Sequence, residues 1–105
     1  MKDRWIQRFK KEVLPLLLSE FKPETVILFG SRITGNATED SDIDVVLAAE
    51  SFKEIPFIKR MPMVLRKARF DKHVDYICYT PHEFQNLKNK SSLLMDALEN
   101  GEKVA

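Results

Sequence analysis

The chain has 105 residues, a formal net charge of +1 from 17 basic and 16 acidic side chains, and 44% hydrophobic residues. That length suits one domain, residues 1–105, and excludes two. The near-balanced charge excludes a global basic field of the kind that drives non-specific nucleic-acid binding. A lone cysteine, Cys78, excludes an internal disulfide and a cysteine-based zinc site, and it suits a reducing compartment. No apolar run approaches the roughly 18 residues of a membrane span. The basic start "MKDRWIQRFKKEVLPLLL" is interrupted by Pro15 and lacks a small-residue cleavage site, so a signal peptide is not expected and a cytoplasmic location is.

Along the chain, Trp5, Ile6, Phe9, Val13, Leu16 and Leu17 recur at helical spacing, predicting an amphipathic helix over about the first eighteen residues. Pro15 should kink it or end its first part. "TVILFG" predicts a strand rich in β-branched and aromatic residues, closed by Gly30-Ser31. A short helical turn with Ser31 as N-cap and a polar loop, "GNATEDS", follow. "DIDVVLAAE" is the second strand, its apolar tail implying burial on both faces. Residues 52–60 are expected as a partly helical lid or connection, and Pro62 as the first turn of a helix over 62–70. "HVDYICYT" is a third strand. Thr80, Pro81 and Glu83 then form a capping-box start, and "SSLLMDALENG" a final helix ended by Gly101. The order predicts an α/β (α+β) sandwich: a small mixed sheet of three or four strands covered by helices.

Carboxylates are costly in strands unless a counter-charge or a metal holds them. Alternation puts Asp42 and Asp44 on one strand face, roughly 6–7 Å apart at the backbone, with Ile43, Val45 and Leu47 opposite. Two such groups repel each other unless a cation lies between them, and Mg²⁺, which prefers oxygen ligands, fits that need. Asp75, isolated in the apolar third strand, completes a triad if the two strands are neighbours in register. Three carboxylates with substrate oxygens could hold two metals, with Asp75 nearest the nucleophile as its base. Gly30-Ser31 permits close backbone approach of a phosphate. Arg32 and nearby basic residues could neutralise a triphosphate. "GSRITG" is neither a Walker loop nor a dinucleotide fingerprint.

Gly30-Ser31, ten intervening residues, then Asp42-x-Asp44 resembles the signature of minimal nucleotidyltransferases in the DNA polymerase β superfamily. The resemblance runs from Thr25 through Val46, reappears at "HVDYICYTPHEF" and is weaker in "SSLLMDALENGEKV". It implies a polymerase β-like fold and Mg²⁺-dependent transfer of a nucleoside monophosphate, AMP from ATP, to a hydroxyl with release of pyrophosphate. It further implies metal ligation by Asp42, Asp44 and Asp75, with Gly30 and Ser31 holding the triphosphate and Arg32 and Ser41 completing the nucleotide-binding set. Domains of this size resemble the MNT half of HEPN–MNT toxin–antitoxin pairs, in which some members neutralise the HEPN toxin by adenylylating a tyrosine and others act by binding. A HEPN-type toxin is therefore the implied partner, and a non-catalytic antitoxin or nucleotide-binding module the alternative. Ile33 and Thr34 depart from the smaller or basic residues of the pattern.

His73 and His82 lie near Asp75 in the chain, but a surface histidine beside a strand end needs no ligand role. Lys59, Arg60, Arg66, Lys67, Arg69 and Lys72 form a cluster that reads as a solvated helix face or as a grip for phosphate, RNA or an acidic partner. Without an aromatic stripe beside it, nucleic acid is not the expected partner. Met61, Met63, Val64, Leu65, Phe70, Phe52 and Phe57 are expected mostly in the core, with a partner-binding patch as the alternative for some of them, since a domain this small has little interior.

Overall fold

The computed structural model describes residues 3–105, and it begins with a cap. Asp3 Oδ1 accepts the Trp5 and Ile6 amides at 2.8 and 3.1 Å, satisfying donors that a helix start otherwise leaves free. The single N-terminal helix predicted from apolar spacing is two helices, α1 (Arg4–Glu12) and α2 (Leu14–Phe21), joined at Val13. The break falls there because Pro15 is accommodated in the first turn of a new helix. Lys22 ends α2 in the left-handed conformation, φ 47°.

Four strands form one mixed sheet in the order β3-β2-β1-β4: β1 (Thr25–Phe29), β2 (Ile43–Ala48), β3 (Val74–Tyr79) and β4 (Glu102–Lys103). β1 runs antiparallel to β2 and β4, while β2 and β3 are parallel. The fourth strand lies in "GEKV", too short and too charged for its alternation to announce it. Gly101 ends the final helix with φ −86°. A β-carbon there would lie 2.3 Å from the Ala97 carbonyl oxygen and 2.7 Å from that of Leu28, so close approach is what demands glycine.

Between β1 and β2 stands one helical turn, α3 (Ser31–Thr34), capped by Gly30 and not, as expected, by Ser31, which is its first residue. Between β2 and β3 lie a 3₁₀ turn (Glu50–Phe52) and α4 (Phe57–Lys67). Pro62 sits inside α4, not at its start. The missing bond falls on the carbonyl of Ile58, a residue 81% exposed, where water can serve instead. The capping box at Thr80 and Glu83 opens α5 (Pro81–Leu87) as expected, and Ser91 caps α6 (Ser92–Asn100).

Strand alternation divides the core in two. Val26, Leu28, Val45, Leu47, Tyr76 and Cys78 pack beneath α1, α2 and α4. Ile27, Phe29, Val46 and Ala48 cluster with Phe84 of α5 and Leu94 and Ala97 of α6, with Ile77, Tyr79 and Leu87 packed against them. Burial pushes the Cys78 thiol up to about 12, so it packs as an inert apolar group. Beside it Arg60, 4% exposed, donates to the carbonyls of Ile55 and Cys78 and forms an ion pair with Glu83 at 2.6 Å. Among the described residues no helix is long and apolar enough to cross a membrane.

Candidate active site

Asp44 is the second residue of β2, and the parallel register sets it directly beside Asp75 of β3. Both lie on the thinly covered face, in line with Val46 and Ile77 of the same strands. Asp42 stands one residue before β2 and not within it as expected: the strand begins at Ile43, whose amide donates to the His73 carbonyl at 3.2 Å. Asp44 is half-buried, while Asp42 and Asp75 are exposed. Burial, then the charges of Asp75 and Asp42, push the Asp44 carboxyl up, against a smaller pull from His73. Among the described residues no basic side chain forms an ion pair with any of the three.

This is a surplus of oxygen ligands and negative charge that a hard divalent cation would relieve. No three His, Cys, Asp or Glu side chains among the described residues make a ready-formed metal cage. Such an open donor set fits Mg²⁺, which takes one or two carboxylates and fills its other positions with water and substrate phosphates. Asp44 with Asp42 and Asp75 would hold it.

Gly30 is built around Asp44. Its φ of +85° is disfavoured for other residues, and a β-carbon would fall 2.2 Å from Asp44 Oδ2. The glycine expected to admit a phosphate is thus also the seat of the carboxylate. Its carbonyl accepts the Ile33 and Thr34 amides, closing the α3 turn.

Arg32 and Ser41 have other tasks than the nucleotide contacts expected of them. Arg32 is 8% exposed. Its guanidinium donates to the carbonyls of Ser41 at 2.8 Å, Thr38 at 3.1 Å and Glu39 at 3.1 Å, and pairs with Asp3 Oδ2 at 2.9 Å. Few of its donors remain for a phosphate. The Ser41 hydroxyl accepts the Thr38 amide at 2.9 Å, stapling the loop from inside. An isolated Arg beside Gly-Ser carries no sequence signal that separates these uses.

His73 enters β3 just before Val74, beside the aspartates, whereas His82 lies on α5 with Asn86 at 3.1 Å. A cleft of about 780 Å³ is bounded by α1, Arg32 and the loop after α3, and none of the three aspartates lines it. Asp42 and Asp75 are themselves exposed, beside the half-buried Asp44.

A mixed sheet that sets paired carboxylates on adjacent parallel strands beside a Gly-Ser turn defines a protein of the nucleotidyl-transfer class. The chain belongs to the nucleotidyltransferase domain family, which it matches over residues 8–104. A Methanocaldococcus jannaschii protein named "Putative protein adenylyltransferase" is 36% identical over 63 residues, 60% of this chain and 59% of that relative's length. A crystal structure described as "a putative nucleotidyltransferase" from Sulfolobus solfataricus superposes with a TM-score of 0.58 at 35% identity, covering 75% of this chain and 70% of that one.

Proposed function

We propose that this nucleotidyltransferase moves AMP from ATP to a tyrosine hydroxyl of a partner protein, a HEPN-type toxin that it thereby neutralises as an antitoxin. The observation that carries this reading is the side-by-side placement of Asp44 and Asp75 on an open sheet face, with Asp42 adjacent. An enclosed pocket suits a small acceptor, while an open face admits a protein surface. The name of the Methanocaldococcus relative supports the protein acceptor and the adenylyl group.

In this reading Asp44, seated on Gly30, and Asp42 hold the metal–triphosphate, with Gly30 and Ser31 beside the phosphates. Bound Mg²⁺ supplies positive charge to the phosphates and to the attacking and leaving oxygens. Asp75, exposed on the outermost strand, is the carboxylate an incoming hydroxyl meets first and the one that takes its proton. The acceptor oxygen bonds to the α-phosphorus, the bond from that phosphorus to the β-bridging oxygen breaks, and pyrophosphate leaves.

The test is incubation of the chain with Mg²⁺ and ATP labelled at the α-phosphate, with and without the protein encoded beside it, followed by intact mass. A gain of one AMP on that protein, absent with Asp42→Asn, supports the reading. No gain with any of the four nucleotides, together with a stable complex that neutralises the toxin even as Asp42→Asn, supports a binding module instead. The position of Asp42, exposed and one residue outside β2, is the feature that favours that second reading.

A further inference from the structure

The cationic cluster noted in the sequence is dispersed by folding. Arg60 is buried against Glu83, and Lys67 faces Glu20 at 3.7 Å. Arg66, Arg69, Lys72 and His73 instead surround a groove of about 370 Å³ where α4 ends and the chain turns into β3. Leu65, Phe70 and Val74 form its apolar floor, and no acidic side chain lines it. The acid of that connection, Asp71, is turned onto Arg8 at 2.8 Å. Among the described residues Arg66 and Arg69 have no ion-pair partner. Lys72 is held at the rim, its ammonium donating to the Glu39 carbonyl at 2.7 Å.

The groove adjoins the carboxylates. His73 lines it, two residues before Asp75 and on the same side of the chain by alternation, a separation of roughly 6–7 Å along the backbone, while Val74 turns to the covered face. The floor does not suit bases. Phe70 packs at near-right angles against Trp5 and Phe9, with the Arg8 guanidinium over its ring, so that ring is already engaged within the fold. A cationic rim over an apolar floor matches a peptide that alternates acidic and apolar side chains.

We propose that this groove docks an acidic, extended segment of the acceptor protein, holding its carboxylates on Arg66, Arg69 and Lys72 while a neighbouring hydroxyl reaches Asp75. The proposal rests on the reading of the chain as a protein-directed transferase and names the kind of acceptor. It also accounts for how an acidic segment approaches three aspartates: the rim supplies local attraction that a chain of net charge +1 lacks overall.

The probe is a fluorescently labelled random copolymer of glutamate and tyrosine, followed by anisotropy for binding and with α-labelled ATP for transfer. Wild type should bind it, more weakly as salt rises. Arg66→Glu with Arg69→Glu should weaken binding by about tenfold or more, and the milder Arg66→Gln with Arg69→Gln by an intermediate factor. Reversal of the exposed Lys53 and Lys90, away from the groove, should change it by less than about twofold. Asp44→Asn should abolish transfer and leave binding intact. Groove-dependent binding without transfer in wild type would keep the docking site and remove the transferase reading. Binding indifferent to the Arg66 and Arg69 changes, or a uridine homopolymer that outcompetes the copolymer, would overturn the proposal.

Discussion

The two faces of the sheet are built from the same strands and serve opposite ends. On one, three helices pack onto the strands and bury residues such as Leu17, Val45 and Phe52 that have no solvent exposure. On the other, α5 and α6 cover the apolar part, and the row holding Asp44 and Asp75 stays open. The consequence lies in what each face can spare. The covered face holds the fold by burying apolar area. The open face tolerates a half-buried Asp44 whose charge is disfavoured by its neighbours because the first face supplies the stability.

Substitutions can test that division. Phe52→Ala, in the covered face, should cost about 3–5 kcal/mol in chemical denaturation, yet transfer per folded molecule should change by less than about twofold. Asp44→Asn should do the reverse. Transfer should fall on the order of a hundredfold to a thousandfold, while the metal-free thermal midpoint holds or rises because a disfavoured charge is gone. A clear drop in that midpoint would mean that Asp44 is a structural residue. Gly30→Ala joins both effects, since the new methyl collides with Asp44 Oδ2 and the backbone is left in a glycine-only region. We expect about 1–3 kcal/mol of stability to be lost, and transfer to fall with it through kcat more than through KM.

The smallest effect is in the response to acid. Burial alone would raise the Asp3 carboxyl, but hydrogen bonds from the Ile6 amide and Arg32 outweigh it and hold it below the usual range. For Glu83 the hydrogen bond from Arg60 does so, against burial. Each folded-state value lies below the unfolded one, so each stabilises the protein above the ordinary carboxylate range and loses that contribution as pH falls through the folded value. Denaturation measured at descending pH should show the loss, and Asp3→Asn should flatten it. An unchanged acid slope in that variant would remove Asp3 from the explanation.

Much of the arrangement could be read from residue order alone. Asp42, Asp44 and Asp75 were legible as candidates because a charged residue next to or within a β-branched run is a local conflict, and the register that sets Asp44 beside Asp75 agrees with their expected adjacency. The capping box at Thr80 was legible because its chemistry is contained in four consecutive residues. Arg32 was not, since its partners Asp3, Thr38, Glu39 and Ser41 come together only in the folded chain. Pro62 misled because a proline in the middle of a helix and one at its start look alike in sequence, and the choice depends on where Ile58 meets water. Gly30 was read for its freedom, whereas its contact with Asp44 follows from the pairing of Phe29 with that residue.

Asp3 uses one carboxylate oxygen to cap α1 and the other to hold Arg32, which in turn holds the carbonyls leading to Asp42. The first turn of that helix and the approach to the aspartates are thereby a single opening unit. In native-state hydrogen exchange the amides of Trp5, Ile6 and Ser41 should lose protection together under mild denaturant, ahead of the amides in the centre of β2. The approach to the site is, by this link, tied to the end of a helix placed far from it in the chain.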